Sequence, residues 1–245
     1  MRTTPTVADA ADRGNTPLFL NLFAVVGRPL SPGARVLDFG CGDGEMVRGL
    51  AGAGMDAHGC DFAHMVGDDQ RLEPIEDPYR LPYPDDTFDA IVSMQVFEHV
   101  QDYDVALREL RRVLRPGCPS LHIFPPRYTP IEPHLYVPLA TVIQCRPWLR
   151  LWAALGVRNR FQQGKTALEV MELNHRYLRE QTNYLPRREL MRRVRQVFPR
   201  AELLTWHQLA ASQSRRARRL CGWARRVPAL ALAYGELGSR ALMLQ

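Results

Sequence analysis

Residues 36–44 read Val36-Leu37-Asp38-Phe39-Gly40-Cys41-Gly42-Asp43-Gly44, and Asp61 closes the next apolar run, 21 residues past Gly40. The apolar residues around Asp38 predict a buried strand. Gly40 and Gly42 have no Cβ, so the chain turns sharply off that strand at positive φ and approaches a ligand closely. Residues 43–53 then predict a helix, whose free N–H groups and dipole suit a carboxylate or phosphate. An acidic residue about 20 positions on is where such folds bind ribose hydroxyls. These features predict an adenosine-type cofactor contacted by Asp38, Gly40, Cys41, Gly42, Asp61 and its neighbour Phe62.

The spacing narrows the choice of cofactor. A dinucleotide fingerprint is G-x-G-x-x-G. Here the third glycine, Gly44, comes one residue early, and Glu45 stands where that fingerprint needs glycine. Asp38 would repel a pyrophosphate but accept from an ammonium group. S-adenosylmethionine offers one site a carboxylate, an ammonium and a ribose diol. The D-x-G-x-G-x-G turn with a later acidic residue resembles the class I S-adenosylmethionine-dependent methyltransferases. Three further segments carry the resemblance: Leu81 to Ser93, Val96-Phe97-Glu98-His99-Val100, and Leu110 to Gly117. Together the motifs span roughly residues 30–125 and are most similar to the bacterial group that includes quinone-pathway and sugar methyltransferases. The resemblance implies a carboxylate near the adenine amino group, Asp77 with Glu76 as the alternative. It also implies that Gln95 and Val96 border the methionine part. The family's G-D-A at the adenine loop is replaced here by Pro74-Ile75-Glu76-Asp77-Pro78.

Methyl transfer from a sulfonium depends chiefly on in-line positioning. A hydroxyl acceptor also needs a base, worth typically about 10²–10⁴-fold, and histidine titrates in the right range. Three histidines are candidates. His134 follows the expected fifth strand within Glu132-Pro133-His134, where Glu132 could orient it. His99 follows Glu98 at a helix start, where capping or packing competes with catalysis, and His175 follows Asn174. No His, Cys or Asp cluster has metal-ligand spacing in the sequence, so no metal is expected.

These residues need a scaffold. Strands near 35–39, 56–60, 89–94, 121–124, 203–206 and 241–244 alternate with helices near 17–26, 43–53, 103–114 and 186–198. That alternation predicts an α/β fold: a doubly wound, mostly parallel, seven-stranded Rossmann-like sheet with an antiparallel last strand. Residues 62–74 have little periodicity, so the second helix is expected to be short. A connection of about 60 residues, 126–185, is too long for an ordinary loop and predicts a helical cap inserted into one domain spanning 1–245. Residues 207–236 predict a second helical insertion, basic over Arg215 to Arg226 and apolar over Val227 to Tyr234.

Composition sets the outer bounds. Hydrophobic residues make up 46% of the 245 and charged residues 24%, ordinary for a globular domain. Neither an apolar signal core after Met1 nor an 18-residue apolar run is present. The five cysteines form no CxxC pair and read as reduced thiols, so a cytoplasmic location is expected. Net charge is +6, nearly all of it arginine. This excess suits an anionic partner, but aromatic residues are too sparse among the arginines for a nucleic-acid groove. The expected partner is a small-molecule or glycan acceptor methylated at a hydroxyl. The alternatives are a lipid or quinone acceptor reached by peripheral membrane contact through 215–234, and a non-catalytic module that only binds the cofactor.

Overall fold

A computed structural model describes residues 14–76 and 80–245. Its centre is a seven-stranded sheet formed by β1 (Arg35–Phe39), β2 (Asp56–Phe62), β3 (Leu72–Ile75), β4 (Ala90–Met94), β5 (Ser120–Phe124), β6 (Ala201–Leu204) and β7 (Arg240–Leu244). The spatial order is β3-β2-β1-β4-β5-β7-β6. All pairings are parallel except those of β7, which runs antiparallel to both β5 and β6. The expected doubly wound sheet with an antiparallel last strand is therefore present.

Alternation along the strands sends side chains to two cores. Leu37, Phe39 and Ile91 pack against α3 (Tyr103–Val113) and α6 (Arg187–Val197) through Leu107, Leu110, Leu190 and Val194. Val36, Val92 and Ile123 face α1 (Thr16–Val25) and α2 (Glu45–Gly52) through Phe19, Phe23, Val47 and Leu50. Burial on both faces is what a central parallel strand requires. Asp102 caps α3 by accepting from the Asp104 and Val105 amides, as an N-cap carboxylate should.

Three details depart from the sequence expectation. No helix joins β2 to β3. The short strand β3 was not read because Pro74 interrupts it. Proline removes a donor and is tolerated at a sheet edge, which is where β3 lies. Finally, β6 ends at Leu204 and Trp206 opens a short helix, α7 (Trp206–Ala211), because antiparallel pairing with β7 begins two residues earlier, at Ala201.

Between β5 and α6 the chain forms α4 (Arg146–Ala154) and α5 (Ala167–Glu180). They enclose a small separate core of Leu135, Val137, Ala140, Leu149, Met171 and Leu178. Between α7 and β7 lie α8 (Arg215–Arg226) and α9 (Pro228–Leu237). Among the described residues no helix is long and apolar enough to cross a membrane.

Candidate functional site

The glycine turn is pinned to the end of β2. Gly40 and Cys41 both donate backbone N–H to the Cys60 carbonyl, and the Gly42 N–H donates to Asp61 Oδ2 at 2.9 Å. The Phe62 N–H donates to the other Asp61 oxygen at 2.7 Å. Each carboxylate oxygen keeps further acceptor capacity, so Asp61 can hold the turn and still receive ribose hydroxyls. Gly42 has φ 51° and open space where a Cβ would stand, leaving a cradle that a side chain would fill. Gly40 has φ 80°, and a Cβ there would run into the Val96 side chain. The glycine turn therefore lies directly against the segment that leaves β4.

The other predicted cofactor residues fall around this turn. Asp38 is buried near the end of β1; burial, then the charge of Asp61, pushes its carboxyl up to about 7. Cys41 is buried, and burial, then the charge of Asp38, pushes its thiol up, so its contribution is backbone rather than a thiolate. Phe62 is 42% exposed at the rim, a flat apolar face for a base. Gln95 is exposed with φ 55°, and its N–H donates to the Ile123 carbonyl. That turns the chain from β4 into a single 3-10 turn, Phe97–His99. Glu76 is exposed just past β3, while Asp77 lies outside the described residues.

Asp38 supports a pH prediction. It can pair with an ammonium only as a carboxylate, and its pKa is raised, so below about pH 7 binding must release a proton. Affinity for S-adenosylmethionine is expected to rise from about pH 5.5 to 7, by up to about tenfold per unit, and then level off. Asp38→Asn should flatten this rise; calorimetry showing the same rise in the variant would remove Asp38 as its source.

Beyond the glycine turn the structure gathers residues from three distant segments. The Glu132 carboxylate is fully buried. It accepts from the His134 and Leu135 amides at 2.8 and 2.6 Å, from His134 Nδ1 at 2.9 Å and from the Tyr184 hydroxyl at 2.7 Å. Burial pushes Glu132 up, but the His134 and Tyr184 hydrogen bonds outweigh it and hold the carboxyl below its usual value. His134 shows the reverse balance: burial pushes it down, and the bond and charge of Glu132 outweigh this and raise it. Facing a carboxylate, His134 Nδ1 must donate, so in the neutral ring Nε2 carries the free lone pair. His99 Nδ1 similarly donates to the Gln181 carbonyl at 2.7 Å, leaving its own Nε2 free, and burial pulls its pKa down. The two imidazole rings lie 5.0 Å apart in an edge-on arrangement, with Tyr177 5.7 Å from His134. Segment 181–183 is stapled to the turn after β4: the Asn183 N–H donates to the Glu98 carbonyl and its side chain to Val100 and Gln101.

Glu132 and His134 are thus brought together, with His99 beside them. His175 sits on α5 outside this group. The sequence reading passed over Glu98, Tyr177, Gln181 and Tyr184. The only available signal was the Glu98-His99 pair, and burial, not spacing, gives Glu98 its character. Glu98 is 1% exposed, both its oxygens lack a hydrogen-bond partner among the described residues, and burial pushes its carboxyl up to about 8.

A cleft of about 790 Å³ opens at His134 and Tyr177 and includes Arg160, Phe161, Lys165 and Arg176. A larger one, about 1370 Å³, is lined by α6, β6 and α9 and includes no residue of the glycine turn or the histidine cluster. The smaller cleft is the relevant one, because it adjoins the polar groups that converge at the sheet's carboxyl edge.

Residues 37–119 match the family model described as a methyltransferase domain. Over 124 residues the chain is 34% identical to methyltransferase GfsG of Streptomyces halstedii, covering 45% of this chain and 42% of that protein. Over 104 residues it is 34% identical to the ubiquinone biosynthesis O-methyltransferase of Xanthomonas campestris, covering 38% of this chain and 44% of the relative. The chain therefore spans under half the length of these two relatives. A solved phosphoethanolamine N-methyltransferase 2 of Haemonchus contortus, with S-adenosylhomocysteine bound, shares the fold. Its TM-score is 0.50 at 15% identity, over 99% of this chain and 60% of that one.

Proposed function

We propose that the chain is a class I S-adenosylmethionine-dependent methyltransferase and that it methylates a hydroxyl of a small-molecule or glycan acceptor. The observation that carries this reading is the contact between Gly40 of the cofactor turn and Val96, the residue immediately before the turn that bears His99. It supports a cofactor cradle beside the segment that leads to His99 and, through it, to His134.

The bound cofactor supplies an electrophilic methyl group and retains the C–S bonding pair on sulfur when that group leaves. The chain's own residues do the rest. Asp61 holds the ribose, Asp38 faces the ammonium, and the Gly40–Gly42 backbone lets the methionine part approach. His134 Nε2 takes the acceptor's hydroxyl proton while Glu132 steadies the imidazolium. The oxygen's freed pair then forms the new O–C bond. Residues 126–185 form a cap over the acceptor. Arg160, Lys165 and Arg176, beside Phe161 and Leu173, suit an acceptor with an apolar skeleton and an acidic substituent.

The test is an acceptor screen read by S-adenosylhomocysteine release. Hydroxylated apolar acids should give turnover above the acceptor-free rate. Tight cofactor binding with no turnover on any hydroxyl, amine or carbon acceptor would favour the non-catalytic module instead.

A second reading has its own observation. On α8 and α9, Leu220, Trp223, Leu230 and Leu237 are between 49% and 66% exposed among the arginines of 215–226. Such a face suits an anionic membrane surface and a lipid or quinone acceptor. Flotation with vesicles containing anionic lipid, lost when Trp223 and Leu220 become Ser, would support it; equal absence of flotation with and without anionic lipid would dismiss it.

A further inference from the structure

Glu98, His99 and His134 each bring a metal-ligating atom within 4.8 Å of the other two. Two features distinguish this trio from a chance polar cluster. The first is the setting of the rings. Each imidazole spends its Nδ1 proton on a fixed acceptor, the Gln181 carbonyl for His99 and the Glu132 carboxylate for His134. In the neutral ring each therefore presents Nε2 with its lone pair free. Metal-binding histidines are oriented in this way, with the distal N–H held by a carbonyl or carboxylate. The second is Glu98. A carboxyl group buried to 1% exposure, with neither oxygen hydrogen-bonded among the described residues, lacks the partners that buried polar groups ordinarily have, and a metal ion would supply one. Its Oε1 lies 4.0 Å from His99 Nε2.

We propose that Glu98, His99 and His134 form a site for one divalent transition-metal ion of the zinc type. Two imidazoles and one carboxylate suit zinc and its neighbours and suit magnesium poorly, since magnesium prefers oxygen donors and water. Zinc–ligand bonds of about 2.1 Å place tetrahedral ligand atoms roughly 3.3 Å apart. Rotation of the Glu98 carboxylate, with small shifts of the two rings that keep their Nδ1 hydrogen bonds, brings the three atoms together on the ion. The Tyr177 hydroxyl, buried and without a partner among the described residues, borders the remaining coordination positions.

The role of the ion rests on the methyl-transfer reading above; its binding does not. Bound to the ion, the acceptor hydroxyl loses its proton to solvent water at neutral pH. Its oxygen pair forms the O–CH3 bond as the C–S bond breaks, and the broken bond's pair stays on sulfur. The ion then acidifies the hydroxyl in place of direct proton transfer to His134.

The full chain, stripped with a chelator and dialysed, is titrated with zinc chloride by calorimetry and with cobalt chloride by visible absorption. One ion per chain is expected, with cobalt d–d bands of a nitrogen and oxygen site. Glu98→Gln and His99→Ala should each weaken zinc at least about 100-fold, the upper end of what outer-shell changes cost. Glu98→Gln also separates the site from a structural role. It keeps the size of the side chain and takes away the carboxylate ligand, so the metal-free variant should melt close to wild type, while zinc should raise the melting temperature of wild type only. Absent binding, or binding that survives both substitutions, overturns the site. Binding with turnover unchanged by chelation overturns the ion's part in acidifying the hydroxyl. Failure of methyl transfer on every acceptor leaves the titration readable, so the two proposals fail separately.

Discussion

Replacing His134 with alanine is expected to lower turnover by about 10²-fold or more while leaving affinity for S-adenosylmethionine nearly unchanged. The argument is geometric. His134 is held by a buried carboxylate that receives four hydrogen bonds, so its ring has one orientation and one free nitrogen. On the proposed reading that nitrogen serves the acceptor, as base or as metal ligand, and not the cofactor. The loss should therefore fall on kcat with a known acceptor. His175→Ala, on the same helix as Tyr177 but outside the cluster, should keep near-normal turnover. A folded His134→Ala protein with wild-type kcat would put deprotonation elsewhere, or mean that the acceptor needs none, as an amine or carbon nucleophile would.

Replacing Asp61 with alanine is expected to weaken S-adenosylmethionine by about tenfold or more. Hydrogen bonds to a charged group contribute roughly 1.5–3 kcal/mol, and about 1.4 kcal/mol is tenfold in affinity. The ribose diol loses its acceptors, and the Gly42 and Phe62 amides lose the carboxylate that holds the turn to β2. Asp61→Asn keeps one acceptor oxygen and should fall between wild type and alanine. Calorimetry on all three proteins reads this directly. An unchanged dissociation constant in Asp61→Ala, with melting unchanged, would remove Asp61 from the cofactor site. The same titration with a nicotinamide dinucleotide should show weaker binding, because Asp38 repels a pyrophosphate.

The glycine turn and its tie to Asp61 were legible because they are local. Gly40, Gly42 and Asp61 have fixed spacing, and each is demanded by backbone conformation or a charged acceptor. The sheet followed from apolar runs such as Leu121 to Phe124; the weak periodicity of 62–74 pointed to a short second helix, where the structure has none before β3. The strand β3 was hidden by Pro74, which reads as a breaker unless the strand is known to be at an edge. The acceptor half was mostly illegible because no local rule links its parts. His99, His134 and Tyr184 lie on a turn, a loop and a segment past α5, joined only by tertiary folding. Glu132 and His134 were recognisable as a pair, but the two-residue spacing could not say that the carboxylate folds back on both the ring and the amides. Glu98 looked like an ordinary acidic residue; its isolation from solvent and from donors exists only in the folded chain. The trio was hidden from the spacing for the same reason, since Glu98 and His99 lie 36 and 35 residues before His134.

The central claim is that one edge of the sheet holds the cofactor with its reactive end toward the His99–His134 cluster. A crystal structure with S-adenosylhomocysteine bound tests it most directly. The predicted result places the ribose hydroxyls on Asp61, the amino acid part along Gly40–Gly42, and the sulfur facing the cleft where His134 Nε2 points. A ribose away from Asp61, or a sulfur turned from His134 toward another opening, would contradict it.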